Sequence, residues 1–421
     1  MSFSLSRLTS GLPILTAPSD GTASVTVLVF IGAGSRYEKE EERGMSHFLE
    51  HMFFKGGKKY TNTKEVSAAI DGVGGEFNAF TAKEYAGYYV KIAAEHVELA
   101  CDVLSDMLLH ASFPSKEIDK ERGVIIEEER MYQDTPMYRV AWDFEELIFG
   151  NHPLGWDTIG TEKVIMSVKQ EDFQKHKNAL YTPDNAVVTF AGKIHETRAM
   201  ELGQRFFGDL SGEKKTKFLP FKNFNTEKTF LREKATEQSH LVLGVPGVPS
   251  LSEEHFAQKL LSIILGGNMS SRMFLNIREA KGLCYYISTD TDSYLDAGAL
   301  TTGAGVDQSR LEEAIKLIIH EYLVCAKDGI TKEELLRAKE YLKGKITLNL
   351  EDSEERAHFY GKQQLLLPKI RTVEDYFTEV DRVTKEEVDA LAKRILVPEE
   401  LRLAVIGKEN NKEKFERLLS S

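Results

Sequence analysis

The hydrophobic pattern of the first half of the chain alternates between the strand period and the helix period. Apolar runs predict β-strands at residues 26–31 and 186–191, and residues 74–81 and 85–92 are predicted to be the two strands of a hairpin. Apolar positions three and four residues apart predict helices at 64–73, 95–110, 115–131 and 196–207. Ser115 stands where it can cap the third of these helices.

The second half repeats this order. A strand at 240–245 precedes a helix at 253–265, and a strand at 299–306 precedes a helix at 309–326. Thr331 begins a further helix, as Ser115 does in the first half. The chain therefore resembles a duplicated unit of roughly 200 residues. We predict an α+β fold of two homologous domains, each a mainly antiparallel sheet with helices packed on it.

A polar segment separates the two repeats. Residues 211–234 are rich in Lys, Glu, Thr and Asn and contain Pro220, which is typical of an interdomain linker. We therefore expect a first domain at 1–210 and a second at 235–421. A chain of 421 residues is long enough for two such domains.

Composition and charge indicate which partners the protein is not expected to bind and in which cellular compartment it is expected. A formal net charge of −12 argues against nucleic acid and anionic membranes, which both require a basic surface. The three cysteines are far apart and form no Cys-x-x-Cys pair, as expected in a reducing compartment. The N-terminus lacks the apolar core of a secretion signal, and nowhere do 18 apolar residues run together. These features favour a cytoplasmic protein.

The candidate chemistry begins with His47, Glu50 and His51, which fall within one helical turn. At about 100° per residue the two histidines lie one above the other, with Glu50 beside them. The opposite side of the turn is apolar: Phe48, Leu49, Met52 and Phe53. Two imidazoles at i and i+4 can hold one zinc ion, and a neighbouring carboxylate can accept a proton from water. The alternative is a buried helix whose histidines are ordinary core residues with hydrogen-bond partners.

A third ligand is found on the helix that begins at Ser115. With Glu121 at 0°, Glu128 falls near 340°, so both carboxylates share one face. Glu127 and Glu129 fall off that face, so the acidic run offers one inward carboxylate. Glutamate-rich runs are commonly solvated surface, and that interpretation remains open. Two histidines and one glutamate leave a fourth position for water, as in catalytic zinc sites.

The second repeat lacks these residues. When Thr331 is aligned with Ser115, Arg337 stands opposite Glu121 and Gly344 opposite Glu128. The helix at 253–265 contains no His-x-x-Glu-His. Only the first repeat is therefore expected to carry metal chemistry.

At this point the sequence resembles the pitrilysin (insulinase) family of zinc peptidases, whose motif inverts the commoner His-Glu-x-x-His. It is most similar to the short-chain branch that includes the mitochondrial processing peptidase catalytic subunit and bacterial relatives. The matching segments span the chain: Gly34-Ser35-Arg36-Tyr37-Glu38, residues 44–56, Asn78-Ala79-Phe80-Thr81, residues 121–128, His152-Pro153-Leu154-Gly155, Ser270-Ser271-Arg272 and residues 278–285.

The resemblance implies roles for individual residues. His47, His51 and Glu128 would bind one Zn²⁺ per chain, with Glu50 as general base. Glu121 would orient the site from behind the ligands. Arg278 and Tyr285, seven residues apart, would contact substrate and polarise the scissile carbonyl. Asn78, Ala79 and Phe80 would pair with the substrate backbone as an added strand: an extended peptide is required.

The implied activity is zinc-dependent endopeptidase cleavage of extended or unfolded peptides inside a closed chamber. Family architecture further implies a homodimer in which Arg278 and Tyr285 act on the site of the partner chain. Two other functions stay open at this stage. One is a non-catalytic core or assembly subunit of the same fold, and the other is a protein that binds peptides without cutting them.

Overall fold

The computed structural model describes residues 3–420 and divides them into two compact units. The first unit contains the chain up to Glu129, residues 157–219 and residues 345–376. The second contains residues 130–156, residues 220–344 and the chain from Phe377 onward. Each unit takes in a segment from the other half of the sequence. The units therefore differ from the continuous domains that the sequence led us to expect.

Strands form one sheet in each unit. Their bounds within residues 3–420 are β1 (Ser4–Arg7), β2 (Pro13–Pro18), β3 (Ser24–Ile31), β4 (Glu76–Thr81), β5 (Ala86–Ala93), β6 (Ala186–Gly192), β7 (Thr229–Glu233), β8 (Gln238–Pro246), β9 (Cys284–Ser293), β10 (Gly298–Asp307) and β11 (Arg402–Gly407). The segment expected to be a linker, residues 211–234, thus includes β7 of the second sheet.

Helices connect and cover the strands. The α-helices in the described part of the chain are α1 (Met45–Phe53), α2 (Thr63–Asp71), α3 (Val97–His110), α4 (Ser115–Asp134), α5 (Pro136–Phe149), α6 (Glu162–Ser167), α7 (Gln170–Leu180), α8 (Glu196–Phe207), α9 (His255–Gly266), α10 (Leu311–Asp328), α11 (Lys332–Asn349), α12 (Ser353–Leu366), α13 (Val373–Arg382), α14 (Lys385–Ile395) and α15 (Lys412–Leu419). A π-helix spans Phe274–Glu279.

The two sheets have the same topology. The first has the order β1-β2-β6-β3-β5-β4, and the second has the order β7-β11-β8-β10-β9. Without β1 the two orders correspond strand by strand. The pairs β2/β6 and β7/β11 are parallel, and the other recorded pairs are antiparallel. The predicted α+β fold of two related, mainly antiparallel sheets is therefore confirmed.

Each sheet is covered by a helix that comes from the opposite half of the sequence. In the first unit α12 packs against β3 and β6. In the second unit α5 packs in the same way against β8 and β11, the strands that correspond to β3 and β6. The central strand β3 is buried from Val25 to Ile31 without alternation, as expected for a strand with both faces covered.

The contact between α12 and the first sheet depends on a glycine. A Cβ at Gly361 would lie 2.7 Å from the Thr189 hydroxyl and 2.8 Å from the ring of Phe30. Phe30 is fully buried and is itself packed against Phe80 and His358, so its ring has little room to move. Glycine at this position lets the helix backbone approach the sheet closely.

The described chain has three free cysteines and no spanning helix. Cys101 and Cys325 are buried thiols, and Cys284 is partly exposed. Between residues 3 and 420, no helix is both long enough and apolar enough to cross a membrane.

Alanine at position 361 is expected to destabilise the first unit. Overpacking of this kind costs about 1–3 kcal/mol, so Gly361→Ala should lower the midpoint of urea unfolding. Gly344→Ala is the matched control, because Gly344 is also helical but a Cβ there meets no atom within 4 Å. That variant should gain up to about 1 kcal/mol of helix propensity. Equal shifts in the two variants would contradict the close approach described here.

Candidate metal centre

Helix α1 begins at a buried carboxylate. The Glu38 side chain accepts hydrogen bonds from the backbone N–H groups of Gly44 (2.8 Å) and Ser46 (2.7 Å), which are free donors at the helix N-terminus. Burial raises the pKa of Glu38 to about 7, although both N–H groups oppose the shift. Gly44 has φ 91°, and a Cβ there would lie 2.1 Å from the Ile159 carbonyl oxygen. The start of α1 is therefore fixed by its surroundings.

The faces of α1 are divided as the sequence pattern predicts. Its apolar side chains are buried: Phe48 packs edge-on against Phe173, and Phe53 packs against Tyr88, Phe113 and Tyr181. His47 and His51 lie together on the other face, with ring centroids 4.7 Å apart. Packing of the apolar face therefore orients the two imidazoles.

Helix α4 brings Glu128 to both imidazoles. Its Oε2 lies 3.7 Å from Nε2 of His47 and 3.5 Å from Nε2 of His51. The three potential ligand atoms all lie within 4.8 Å of one another. Two ligands each 2.0–2.2 Å from a tetrahedral zinc are about 3.4 Å apart, so this donor set fits zinc. Within residues 3–420 it is the one group of three or more such side chains close enough to hold a metal ion.

Glu121 contacts His51 at Nδ1, the ring nitrogen that does not face Glu128. Its Oε1 lies 2.9 Å from Nδ1 of His51, and its Oε2 lies 2.6 Å from Nζ of Lys55. Burial opposes ionisation of Glu121, but the hydrogen bonds from His51 and Lys55 lower its pKa overall. A charged Glu121 can only accept in this hydrogen bond, so Nδ1 of His51 carries the proton and donates it, and Nε2 is the nitrogen that can bind a metal. This arrangement is typical of a carboxylate that orients a metal-binding histidine.

The charges of the site favour a bound cation. Burial, with a further contribution from His51, lowers the pKa of His47 to about 3, so that its imidazole is neutral near pH 7. Among the described residues, Nδ1 of His47 has no hydrogen-bond partner. Burial also opposes protonation of His51, but the Glu121 hydrogen bond and the neighbouring carboxylates raise its pKa overall. Several carboxylates therefore surround two nitrogen ligands, and a divalent cation would offset their repulsion.

Glu50 is held separately from the three ligands. The Thr81 hydroxyl donates a hydrogen bond of 2.6 Å to Oε2 of Glu50. Burial raises the pKa of Glu50, and the hydrogen bond from Thr81 opposes this shift. Thr81 thus contacts one carboxylate oxygen of Glu50, Oε2, and does not contact the other oxygen, Oε1.

The segment with Asn78, Ala79 and Phe80 lies on β4, the terminal strand of the first sheet. Within the described chain β4 pairs on one side, with β5. Asn78 accepts a hydrogen bond from the Ala79 N–H, whereas the Phe80 ring packs against Phe30 and His358. The open edge suits backbone pairing, and Phe80 is directed into the sheet packing.

Arg278 and Tyr285 lie in the second unit. Arg278 belongs to the π-helix, and its guanidinium carbon lies 4.6 Å from the centroid of the Phe274 ring. Tyr286 pairs with Gly305 and Cys284 pairs with Val306, so Tyr285 is the extra residue of a β-bulge. Its side chain is 80% exposed. The bulge explains how an aromatic residue at the start of a strand projects into solvent.

Three residues with clear contacts in the site had no role assigned from the sequence: Glu38, Lys55 and Thr81. Each lies within a segment that resembles the family, and this was the available signal. Neither spacing nor periodicity could show the partners of Lys55 and Thr81, because their contacts to Glu121 and Glu50 join elements distant in sequence. The partners of Glu38 are nearby backbone N–H groups, which the pattern of side chains does not reveal.

Comparison with known proteins places both repeats in one family. Residues 14–162 match the family model described as insulinase (peptidase family M16), and residues 167–342 match the model described as the peptidase M16 inactive domain. The second description agrees with the position of the candidate metal-ligand cluster, which lies in the first unit.

Relatives that match over most of both chains support the same family, and a solved structure supports the fold. An uncharacterized zinc protease of Bacillus subtilis, YmxG, is 38% identical over 405 residues, spanning 96% of this chain and 97% of the relative. An uncharacterized zinc protease of Mycobacterium leprae, ML0855, is 34% identical over 394 residues, or 92% and 88% of the two chains. A crystal structure of a protease from Helicobacter pylori superposes with a TM-score of 0.89 at 22% identity and covers 96% of this chain and 99% of that chain. This chain therefore belongs to peptidase family M16, the pitrilysin (insulinase) family, and is of its short type.

Proposed function

We propose that this protein is a zinc-dependent endopeptidase that hydrolyses extended or unfolded peptides. The observation that carries the proposal is the convergence of His47, His51 and Glu128 within 4.8 Å. Glu50 lies on the same helix as the two histidines, and Thr81 holds one of its oxygens. The zinc proteases among the relatives support the choice of metal.

The chemistry follows from the placement of these side chains. A zinc ion held by His47, His51 and Glu128 would lower the pKa of water to about 7. Glu50 accepts the proton of the attacking water at Oε1, while Thr81 keeps Oε2 in place. Glu50 then delivers that proton to the amine that leaves when the peptide bond breaks. Glu121 and Lys55 keep His51 oriented throughout.

The edge strand β4 determines the form of substrate that we propose. A peptide that adds to β4 must be extended, since its backbone replaces a neighbouring strand. Thr81 ends this strand and contacts Glu50, so a peptide paired along Asn78, Ala79 and Phe80 would pass beside the general base. Recognition through the backbone reads side chains loosely, which favours unfolded peptides as a class.

We further propose that two copies of the chain form a homodimeric chamber in which Arg278 and Tyr285 act on the partner's substrate. The exposed hydroxyl of Tyr285 is free to donate a hydrogen bond to the oxyanion that develops at the scissile carbonyl. Arg278 would contact the substrate nearby.

Removal of a ligand and removal of the base should have different effects. The wild-type protein should bind one zinc per chain, and His47→Ala and Glu128→Gln should lose most of it because a ligand is missing. Glu50→Gln should retain zinc and lose about 10²–10⁴-fold in cleavage rate, the usual contribution of a general base. Metal content after dialysis and cleavage of a fluorescence-quenched unfolded peptide measure both effects.

The chelator control separates the enzyme from the two other functions. Cleavage should stop when a chelator removes the metal and return when zinc is added. Cleavage that survives the chelator would contradict the proposal. A wild-type protein that binds peptides but never cuts them would instead be a binding protein or an assembly subunit.

Loss of the Glu121 carboxylate should weaken zinc binding without removing a ligand. Glu121→Gln cannot fully stabilise the Nδ1 proton of His51, and losses of this kind are about 10–100-fold in affinity. Competition with a fluorescent zinc indicator measures the change. Glu117→Gln, on the same helix but paired with Lys120, should bind zinc as the wild type does. Equal affinities for the Glu121 variant and the wild type would rule out this orienting role.

Complementation tests whether Tyr285 acts in the partner's site. Glu50→Gln and Tyr285→Phe chains should each be weakly active alone, and a mixture should recover part of the activity. A mixed dimer contains one site with both an intact base and an intact tyrosine. Activity measured against the mixing ratio gives the result, and a mixture no more active than the sum of its components would exclude action in trans.

A further inference from the structure

The segment Gly34-Ser35-Arg36-Tyr37-Glu38 has no part in the metal chemistry, yet it contacts both elements that hold the base. Its last residue, Glu38, anchors the N-terminus of α1 through the N–H groups of Gly44 and Ser46. We call this segment, residues 34–38, the bracket. One end of the bracket therefore fixes the helix that carries Glu50.

The other end of the bracket fixes the turn that follows β4. The backbone N–H of Ser35 donates to the Ala82 carbonyl oxygen (3.3 Å), and that of Arg36 donates to the Lys83 carbonyl oxygen (2.8 Å). The Arg36 guanidinium also forms a buried ion pair with Glu84. Arg36 is 1% exposed, so this pair is shielded from water. The turn is closed by a hydrogen bond from the Ala82 N–H to the Tyr85 carbonyl oxygen.

Thr81 lies immediately before this turn, and Glu50 lies on the helix that Glu38 anchors. The two side chains meet at 2.6 Å between Oγ1 of Thr81 and Oε2 of Glu50. The bracket thus contacts both the helix that carries Glu50 and the turn that follows Thr81, and so it holds in place both partners of this hydrogen bond. A carboxylate held through one oxygen keeps a defined rotamer, which leaves the other oxygen at a defined position.

We propose that Thr81 is the positioning residue of the general base and that the bracket sets the distance between them. This inference rests on the proposed function and adds a residue to it. Because Thr81 also ends the strand to which a peptide would add, the residue that aligns the base belongs to the same element as the substrate-binding edge. The competing interpretation is that the hydroxyl only satisfies a buried carboxylate, with no effect on the position of Oε1.

Kinetics separate the two interpretations. Thr81→Val removes the hydroxyl at nearly constant volume, and Thr81→Ser restores it. If Thr81 positions Glu50, the valine variant should lose about 10–100-fold in kcat, since misplacement of a catalytic group has effects of this size. Its KM should stay within about twofold and its zinc content should be complete. The serine variant should recover most of the lost kcat.

Thr63→Val is the matched control. The Thr63 hydroxyl donates to the Phe54 carbonyl oxygen at the end of α1 and does not contact Glu50, so kcat should not change. A Thr81→Val enzyme with wild-type kcat would overturn the proposal. A change confined to KM, or a serine variant as slow as the valine variant, would overturn it as well.

A crystal structure of each variant supplies a readout that does not depend on activity. The Glu50 carboxylate should keep its rotamer in the wild type and in Thr81→Ser and should leave it in Thr81→Val. An unchanged rotamer in Thr81→Val would contradict the inference. If the wild type cleaves no peptide, the proposed function fails, and the crystal structures still decide whether Thr81 positions Glu50.

Discussion

The structure of the site depends on one constraint: α1 carries three ionisable side chains on one face and packs its other face into an apolar core. A buried polar group without a partner is costly, so each of these side chains needs a partner from elsewhere in the chain. His51 finds Glu121, Glu50 finds Thr81, and the two imidazoles share Glu128. Helix α4 and strand β4 must therefore come to the same place. The packing of these elements is arranged around the polar face of one nine-residue helix.

The duplicated fold shows which parts of this arrangement are scaffold and which are chemistry. Apart from β1, the second sheet repeats the first strand by strand, and α11 follows the capping residue Thr331 as α4 begins at Ser115. At the aligned positions, however, the second repeat has Arg337 for Glu121 and Gly344 for Glu128. The scaffold is therefore compatible with quite different charges on the same helix face. Its stability comes from apolar strands and covering helices, and the candidate metal ligands are an addition to one copy.

Much of the fold and part of the site followed from local patterns. The amphipathic helices, the central apolar strands and the shared faces of His47, His51, Glu121 and Glu128 depend on residues near one another in sequence, which periodicity can reveal. The placement of α5 and α12 could not be predicted, because each packs against a sheet whose strands come from the other half of the sequence. The exposure of Tyr285 depends on a register shift between two strands, and the hydrogen bond from Thr81 to Glu50 joins residues 31 positions apart. Such features arise from three-dimensional packing, which local patterns do not encode.

The position of α12 has a consequence for how the protein matures on the ribosome. The last strand of the first sheet ends at Gly192, but the helix that covers β3 and β6 begins only at Ser353. At about 5–20 residues per second, the ribosome needs on the order of ten seconds or more to make the intervening chain. During that time the face of the first sheet that α12 will cover stays exposed, and this apolar surface can aggregate or bind chaperones. The unit that holds the candidate metal ligands is thus completed only after α12 has left the ribosome, so the site cannot be fully enclosed by its own unit before that point.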